Sequence, residues 1–177
     1  MLKSAWVALS PSIKNVITEA GFGTFFEVLS NHKTHEYKDH QLLLALAEHF
    51  WDNTCTFHFP NIGEAMLTPY DFSIITSLRL GGKRILVNDS LTSTELKKLL
   101  SVIPSRMRNN NVPLSWLCKS IPQCETVAKG ARMFVLIFIG TFLCSDLGST
   151  VNLHYLGSLR KIEQIQNYDR GGMAYDT

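Results

Sequence analysis

The histidines, cysteines and carboxylates of this chain are its candidates for metal or nucleophilic chemistry, and their spacing limits what they can do. Three imidazoles, His32, His35 and His40, fall within nine positions with Asp39 beside the last. Side chains at that density can converge on a zinc ion. Their spacings of three and five match no established zinc pattern, however, and the polar stretch from Asn31 to Asp39 reads as a solvated loop. Cys118 and Cys124 flank Pro122 without a second thiol pair and are expected to be buried or spectator cysteines. Cys55 and His58 come nearest to a nucleophile and its base, but residues i and i+3 of a strand point to opposite faces. His58 instead shares a face with Thr54 and Thr56, opposite Glu64 or Met66 across a turn. It is expected to be a structural histidine with a satisfied hydrogen bond. Gly81-Gly82-Lys83 has the composition of a phosphate loop, yet it follows a helical pattern instead of opening one and lacks the Ser or Thr that would hold magnesium. These residues carry no catalytic, cofactor or metal assignment.

A basic stretch is the remaining candidate. Arg79, Lys83, Arg84, Lys97, Lys98, Arg106 and Arg108 stand against Asp89 and Glu95, a balance of +5 over thirty positions. Lys97, Lys98, Arg106 and Arg108 are the candidate contacts to nucleic acid or an acidic partner. No aromatic residue lies within the stretch, which argues against base stacking on single strands. A solvated helical face accounts for the same residues.

The elements that must position these groups are mostly helical. Ser10 followed by Pro11 can cap a short helix carrying Ile13, Val16 and Ile17 and stopping at Gly21. A second helix is predicted from Thr24 through Leu29. Asp39 is placed to cap a third, whose residues Leu42, Leu43, Leu46 and Phe50 have helical spacing and are expected to face the core. From Thr54 the period changes to two, and Pro60, Asn61 and Gly63 separate two alternating runs, which predicts a β-hairpin over about Thr54 to Thr68. Thr68, Pro69 and Asp71 then form a capping signal before Phe72, Ile74, Ile75 and Leu78, with Gly81 and Gly82 expected to end that helix. Thr92 and Glu95 form a second capping box ahead of Leu96, Leu99 and Leu100. A short apolar segment at Leu114, Trp116 and Leu117 precedes the longest helix, about Glu125 to Cys144. Its second half is apolar nearly all round and must be surrounded by other elements. Asp146 and Gly148 mark a turn, Val151 to Leu153 an extended segment, and Leu156, Leu159 and Ile162 a last helix.

At 177 residues, 45% hydrophobic and 18% charged, the chain can bury one sizeable core and is too apolar for a disordered tail. Its net charge of +2 sets up no whole-molecule attraction to nucleic acid or anionic membrane. The apolar run Met133 to Cys144 is well short of the roughly 18 to 20 residues of a bilayer span, so no membrane association is expected. Four irregularly spaced cysteines and the absence of a secretory pattern at the start fit a reducing intracellular compartment. No compact basic import signal is present.

The run Thr54-Cys55-Thr56-Phe57-His58-Phe59-Pro60, then Gly63-Glu64, then Leu67-Thr68-Pro69-Tyr70-Asp71-Phe72, resembles the signature of the plant mobile domain, of the maintenance-of-meristems family. In that family a "THTFHLP" segment leads to "GE-x-T-I-T-L-x-D-V" and a leucine-rich helix. Ala20-Gly21-Phe22-Gly23, Leu114-Ser115-Trp116-Leu117 and the run from Ala131-Arg132 through Gly140 to Leu156 match in the same order, so the resemblance covers almost the whole chain. Phe57, His58, Pro60, Gly63, Glu64, Thr68, Asp71 and Trp116 are its structural motif positions. Cys55 departs from a common histidine, His49 from an arginine, and Arg79 and Arg84 from prolines. The family's domain usually continues into another amphipathic helix after the region matched by Tyr168-Asp169-Arg170-Gly171-Gly172, and the resemblance therefore implies one domain over 1–177 lacking its last helices.

The resemblance implies a mainly α single helical domain with a small β-hairpin, in a nuclear protein linked to meristem maintenance and transposon silencing. Its implied partners are nuclear proteins, including a plant long-form protein phosphatase; a nucleic-acid-binding module of transposable-element origin is the alternative. The family also carries an aminotransferase-like label. Pyridoxal phosphate chemistry needs a Schiff-base lysine, a phosphate cradle and an acid for the pyridine nitrogen. None of these is visible in the sequence, and the expectation is an interaction module with no enzyme activity and no cofactor.

Overall fold

A computed structural model describes residues 1–31, 40–104, 107, 109–144 and 149–175. The chain opens with α1 (Leu2–Ala8) and α2 (Pro11–Ile17), turns through a π-helical segment at Thr18–Phe22, and continues as α3 (Gly23–Asn31). Ser10 caps α2 as expected, its hydroxyl accepting from the Ile13 N–H with Pro11 at the first position. Gly21 does not end the helical course. Its φ of 85° inserts a kink, and α3 begins two residues later. α1 lies outside the elements legible in the sequence; it has no side-chain cap, and Leu2 and Trp6, four apart, bury one face of it.

Next come α4 (His40–His49), β1 (Phe50–Trp51), β2 (Thr56–Phe59) and β3 (Gly63–Ala65). The three strands form an antiparallel sheet in the order β1-β2-β3, with Phe50 opposite Phe57, Trp51 opposite Thr56, and His58 opposite Glu64. The expected hairpin is present and gains a third strand. Two expectations are corrected here. Phe50 belongs to a strand, and the leucine face of α4 is not in the core: none of its residues is buried, and Leu42 and Leu43 are each more than half exposed. Helical spacing shows that a face is apolar; it does not say which element covers it.

The remaining elements are α5 (Pro69–Thr76), α6 (Ser93–Leu99), β4 (Asn111–Pro113), α7 (Leu114–Ser120), α8 (Val127–Phe138), β5 (Thr150–Asn152) and α9 (Arg170–Tyr175). A π-helical turn at Ile139–Leu143 extends α8, and 3-10 turns at Leu153–Gly157 and Ile162–Asn167 stand where one helix is predicted. α5 stops at Ser77, which takes a left-handed φ of 57°, four residues before the glycines expected to end it. Both predicted capping boxes form, at Thr68 with Asp71 and at Thr92 with Glu95. β4 pairs antiparallel with β5, Val112 opposite Val151. The fold is thus mainly α with small antiparallel sheets.

Everything from Met133 to Gly140 is buried, so the helix predicted to need neighbours on every side has them. The N-terminal helices supply a ring lattice against it. Phe26 lies 4.9 Å from Phe134 and 5.1 Å from Phe138, Trp6 stacks on Phe26 at 4.7 Å, and Phe22 meets Phe138 edge-on at 5.3 Å. On the opposite side a Cβ at Gly140 would sit 2.7 Å from the Val151 side chain, and its absence lets β5 close on the helix. α9 is tied back by Arg170, whose Nη1 donates to the carbonyls of Ala20 (3.1 Å) and Gly21 (2.7 Å) while its guanidinium lies 4.7 Å over the Phe22 ring.

Phe26→Ala should cost about 3–5 kcal/mol of stability, because it empties the centre of this lattice. Leu44→Ala, on the uncovered face of α4, should stay within about 0.5 kcal/mol. Urea denaturation followed by far-UV circular dichroism checks both. A loss at Leu44 comparable to that at Phe26 would mean that α4 is covered after all.

Candidate functional site: an apolar groove and an aromatic sheet face

Two surface features present apolar side chains in a concave setting, and the Thr68 junction lies between them in the chain. The Thr68 hydroxyl accepts from the Asp71 N–H at 3.1 Å, and the Asp71 carboxylate accepts from the Thr68 N–H at 3.0 Å and its hydroxyl at 2.6 Å. This reciprocal lock fixes the angle at which α5 leaves β3. Within α5 the Thr76 hydroxyl donates to the Phe72 carbonyl, and the Ser73 hydroxyl reaches past the helix end to the Leu78 carbonyl. Phe72, Thr76 and Leu78 are thereby held inward, while Tyr70, Ile74 and Ile75 face solvent.

The first feature is a groove of about 460 Å³ between α3 and α5. Phe25, Val28 and Leu29 form one wall, Phe72 and Ile75 the other, and Phe142 lies beneath, 4.8 Å from Phe25 and 6.1 Å from Phe72. Among the described residues that line it, Thr24, Thr76 and Ser77 are the polar ones. Apolar concavities with sparse polar groups are the usual form of ligand and partner sites.

The second feature is the face of the sheet bearing Trp51, Thr56, His58 and Glu64. The indole of Trp51 stacks on the His58 imidazole with centroids 3.8 Å apart. His58 Nε2 is 3.1 Å from the Thr56 hydroxyl and 3.5 Å from a Glu64 carboxylate oxygen, and Thr56 in turn bonds Thr54 at 2.7 Å. His58 is thus a hydrogen-bonded partner of its own sheet, and of the two opposing residues expected, Glu64 and Met66, it is Glu64 that stands opposite. Phe57 lies on the other face against Phe50, at 5.2 Å. Pro60 opens the turn, Asn61 follows at a φ of 64°, and Ile62 N–H closes it onto the Phe59 carbonyl at 3.1 Å. That is the signature of a type II turn. Gly63 leaves the turn at a φ of 109°.

The candidates for chemistry are dispersed. Cys55 sits in the turn before β2, not on the strand, at a φ of 54° with its thiol on the Asp52 carbonyl. Cys118 and Cys124 are half-buried, and burial pushes both thiols up, away from the nucleophilic thiolate. His32, His35 and Asp39 lie outside the described residues, as do Asp146 and Gly148; His40 opens α4, exposed. No cluster of potential metal ligands occurs among the described residues. No described helix is long and apolar enough to cross a membrane.

The basic residues stand on separate supports. Lys97 and Lys98 are exposed in the last turn of α6, where they complement the helix dipole. Arg79 donates to the Gln166 carbonyl, and the Lys83 backbone pairs with residues 167 and 169. Arg84 lines a separate pocket of about 200 Å³ with Tyr155, Asp169 and Met173. Arg106 and Arg108 lie outside the described residues. Trp116 is half-buried against the core. Long-range polar contacts escape sequence reading, among them two at buried side chains. Buried His154 meets Asp89 at 3.2 Å across 65 positions, and Arg170 reaches Ala20 across 150. No local pattern signals a contact at such separation.

A family model described as a domain of unknown function (DUF8566) matches residues 2–176. The chain is similar to Protein MAINTENANCE OF MERISTEMS of Arabidopsis thaliana, 27% identical over 170 residues, which are 90% of this chain and 34% of the relative. It is also similar to an Arabidopsis thaliana serine/threonine-protein phosphatase 7 long form homolog, 29% identical over 143 residues, 75% of this chain and 11% of the relative. The relation to both is distant, and the chain spans about a third of the length of the first and about a tenth of the second. No solved structure matches.

The hydrogen bonds from the Thr68 hydroxyl and N–H hold the Asp71 carboxyl below its ordinary value, and those from Thr92 do the same for Glu95. A carboxyl depressed in the folded state contributes stability that is present above its unfolded value of about 4 and lost as pH falls through the folded value. Thr68→Ala should therefore lower the melting temperature at neutral pH and shrink the loss of stability below about pH 4. Thermal melts of both proteins across that range check it; parallel acid limbs would remove the box from the pH dependence.

Proposed function

Given that the chain belongs to the DUF8566 family and has these two distant Arabidopsis relatives, we propose that it is a non-enzymatic interaction module of a nuclear protein. In this reading it serves complexes of meristem maintenance and transposon silencing, as the plant mobile domain resemblance and the name of the first relative suggest. The single observation that supports it best is the groove between α3 and α5, whose walls expose Val28 and Ile75 while its floor is built into the core through Phe72 and Phe142. Apolar side chains held open on a rigid support are suited to burying a partner's side chains, since the ordering entropy is already spent. The name of the second relative makes a long-form phosphatase a natural occupant or fusion partner.

A nucleic-acid-binding role through the basic stretch is the second reading, and exposed Lys97 and Lys98 favour it. The two readings diverge in their tests. With the chain as bait in Arabidopsis nuclear extract, a reproducible set of proteins should be recovered and lost with the double substitution Ile74→Asp, Ile75→Asp, whose melting temperature should match the parent. Recovery unchanged by that variant would defeat the groove reading. If the basic stretch binds nucleic acid instead, a labelled duplex should bind at low salt, and replacing Lys97, Lys98, Arg106 and Arg108 with Ala should weaken it and flatten its salt dependence. Incubation with pyridoxal phosphate should leave the protein colourless; a visible absorbance band removed by borohydride would overturn the non-enzymatic reading.

A further inference from the structure

We propose that the sheet face of Trp51, His58 and Glu64 receives a lysine or arginine side chain from an extended basic segment of a partner protein. This deepens the interaction-module reading and rests on it. Trp51, His58, Phe59, Pro60, Gly63 and Glu64 line an open recess of about 460 Å³. One face of the Trp51 ring is taken by the His58 imidazole, yet the residue remains 52% exposed, so indole surface is left for a ligand. Glu64, with 58% of its side chain exposed, places a carboxylate on the same strand face, aligned by His58 at 3.5 Å. An indole face beside a carboxylate is the pairing that binds a side-chain cation, the ring quadrupole and the negative charge acting together.

The surrounding charge selects the same partner. From His40 to Leu78 the chain carries Glu48, Asp52, Glu64 and Asp71 and no lysine or arginine, although the chain as a whole is +2. That field attracts a basic segment and repels phosphate, which argues against a nucleic-acid strand on this face. Gly63 has nothing within 4 Å of the position a Cβ would take, and β3 is exposed along its whole length at the sheet edge. An extended chain therefore has room to lie alongside. Ile62 and Met66, both exposed on either side of β3, supply apolar surface for aliphatic stems.

The test uses the full chain and two fluorescein-labelled peptides of equal length, one alternating arginine with valine and one alternating glutamate with valine, read by fluorescence polarisation. The arginine peptide should bind and the glutamate peptide should not. Glu64→Gln should weaken binding about tenfold, and Trp51→Ala about tenfold or more, with Trp51→Phe intermediate. Glu48→Gln, which removes the same charge away from the recess, should change affinity less than twofold. Glu64→Gln keeps every ring in place, so the result stands even if Trp51→Ala loosens the sheet. Equal weakening by Glu48→Gln and Glu64→Gln, equal binding of the two peptides, or a dimer in analytical ultracentrifugation that Trp51→Ala dissociates would each overturn the proposal. Ile74→Asp with Ile75→Asp should leave peptide binding intact, so a failure of the α3–α5 groove and a failure of this recess give different results.

Discussion

The burial of α8 on all sides from Met133 onward is the constraint from which the rest of this fold follows. A helix that is apolar around most of its circumference cannot remain against water, so the chain must provide neighbours in every direction. The N-terminal helices cover one side with Trp6, Phe22 and Phe26, and β5 closes another over Gly140. Ring packing of this kind transmits position well, because shifting one aromatic side chain disturbs several centroids at once. Phe25 and Phe142 extend the lattice from the helix outward to the floor of the α3–α5 groove. The groove inherits the rigidity of the core.

Polar locks then hold the ends of the chain together. Arg170 crosses from α9 to the π-helical turn at Gly21, where the irregular backbone presents the Ala20 and Gly21 carbonyls to one guanidinium nitrogen. Burial and the neighbouring Arg79 lower its pKa, but a guanidinium keeps its proton under any ordinary condition. The buried guanidinium donates through Nη1 to two carbonyls and lies over an aromatic face while its Nε has no partner among the described residues, so removing those carbonyl contacts is costly and they tie residues 18–22 to the last helix. The kink at Gly21 thus serves a contact as well as a change of direction.

The segment from α4 to β3 contrasts with that core. Apart from Thr56 none of its residues is buried, and its rings pack mainly on one another, Trp51 on His58 and Phe50 on Phe57. Its acidic balance also sets it apart from the basic stretch that follows. The groove is therefore backed by the core and the aromatic sheet face by its own strands, and the two differ in charge as well as support.

Short-range rules were legible in the residues themselves. The caps at Ser10, Thr68 and Thr92, the change from helical to alternating period at the hairpin, and the need to surround α8 all depend on neighbours within a few positions, and all appear in the structure. Strand periodicity put His58 on one face with Thr54 and Thr56 opposite either Glu64 or Met66, and the structure selects Glu64. What covers each apolar face was not legible, and α4 shows why: its leucine spacing is that of a core helix, yet none of its residues is buried. Ser77 ends α5 ahead of two glycines where the Thr76 hydroxyl bonds the Phe72 carbonyl and the Leu78 N–H while Ser73 holds the Leu78 carbonyl, local contacts that residue preference alone does not decide. The sequence by itself determined the three caps, the β2–β3 hairpin and the most apolar helix. Only the tertiary structure decided which apolar residues stay exposed and which distant polar groups meet, because both depend on contacts between residues as much as 150 positions apart.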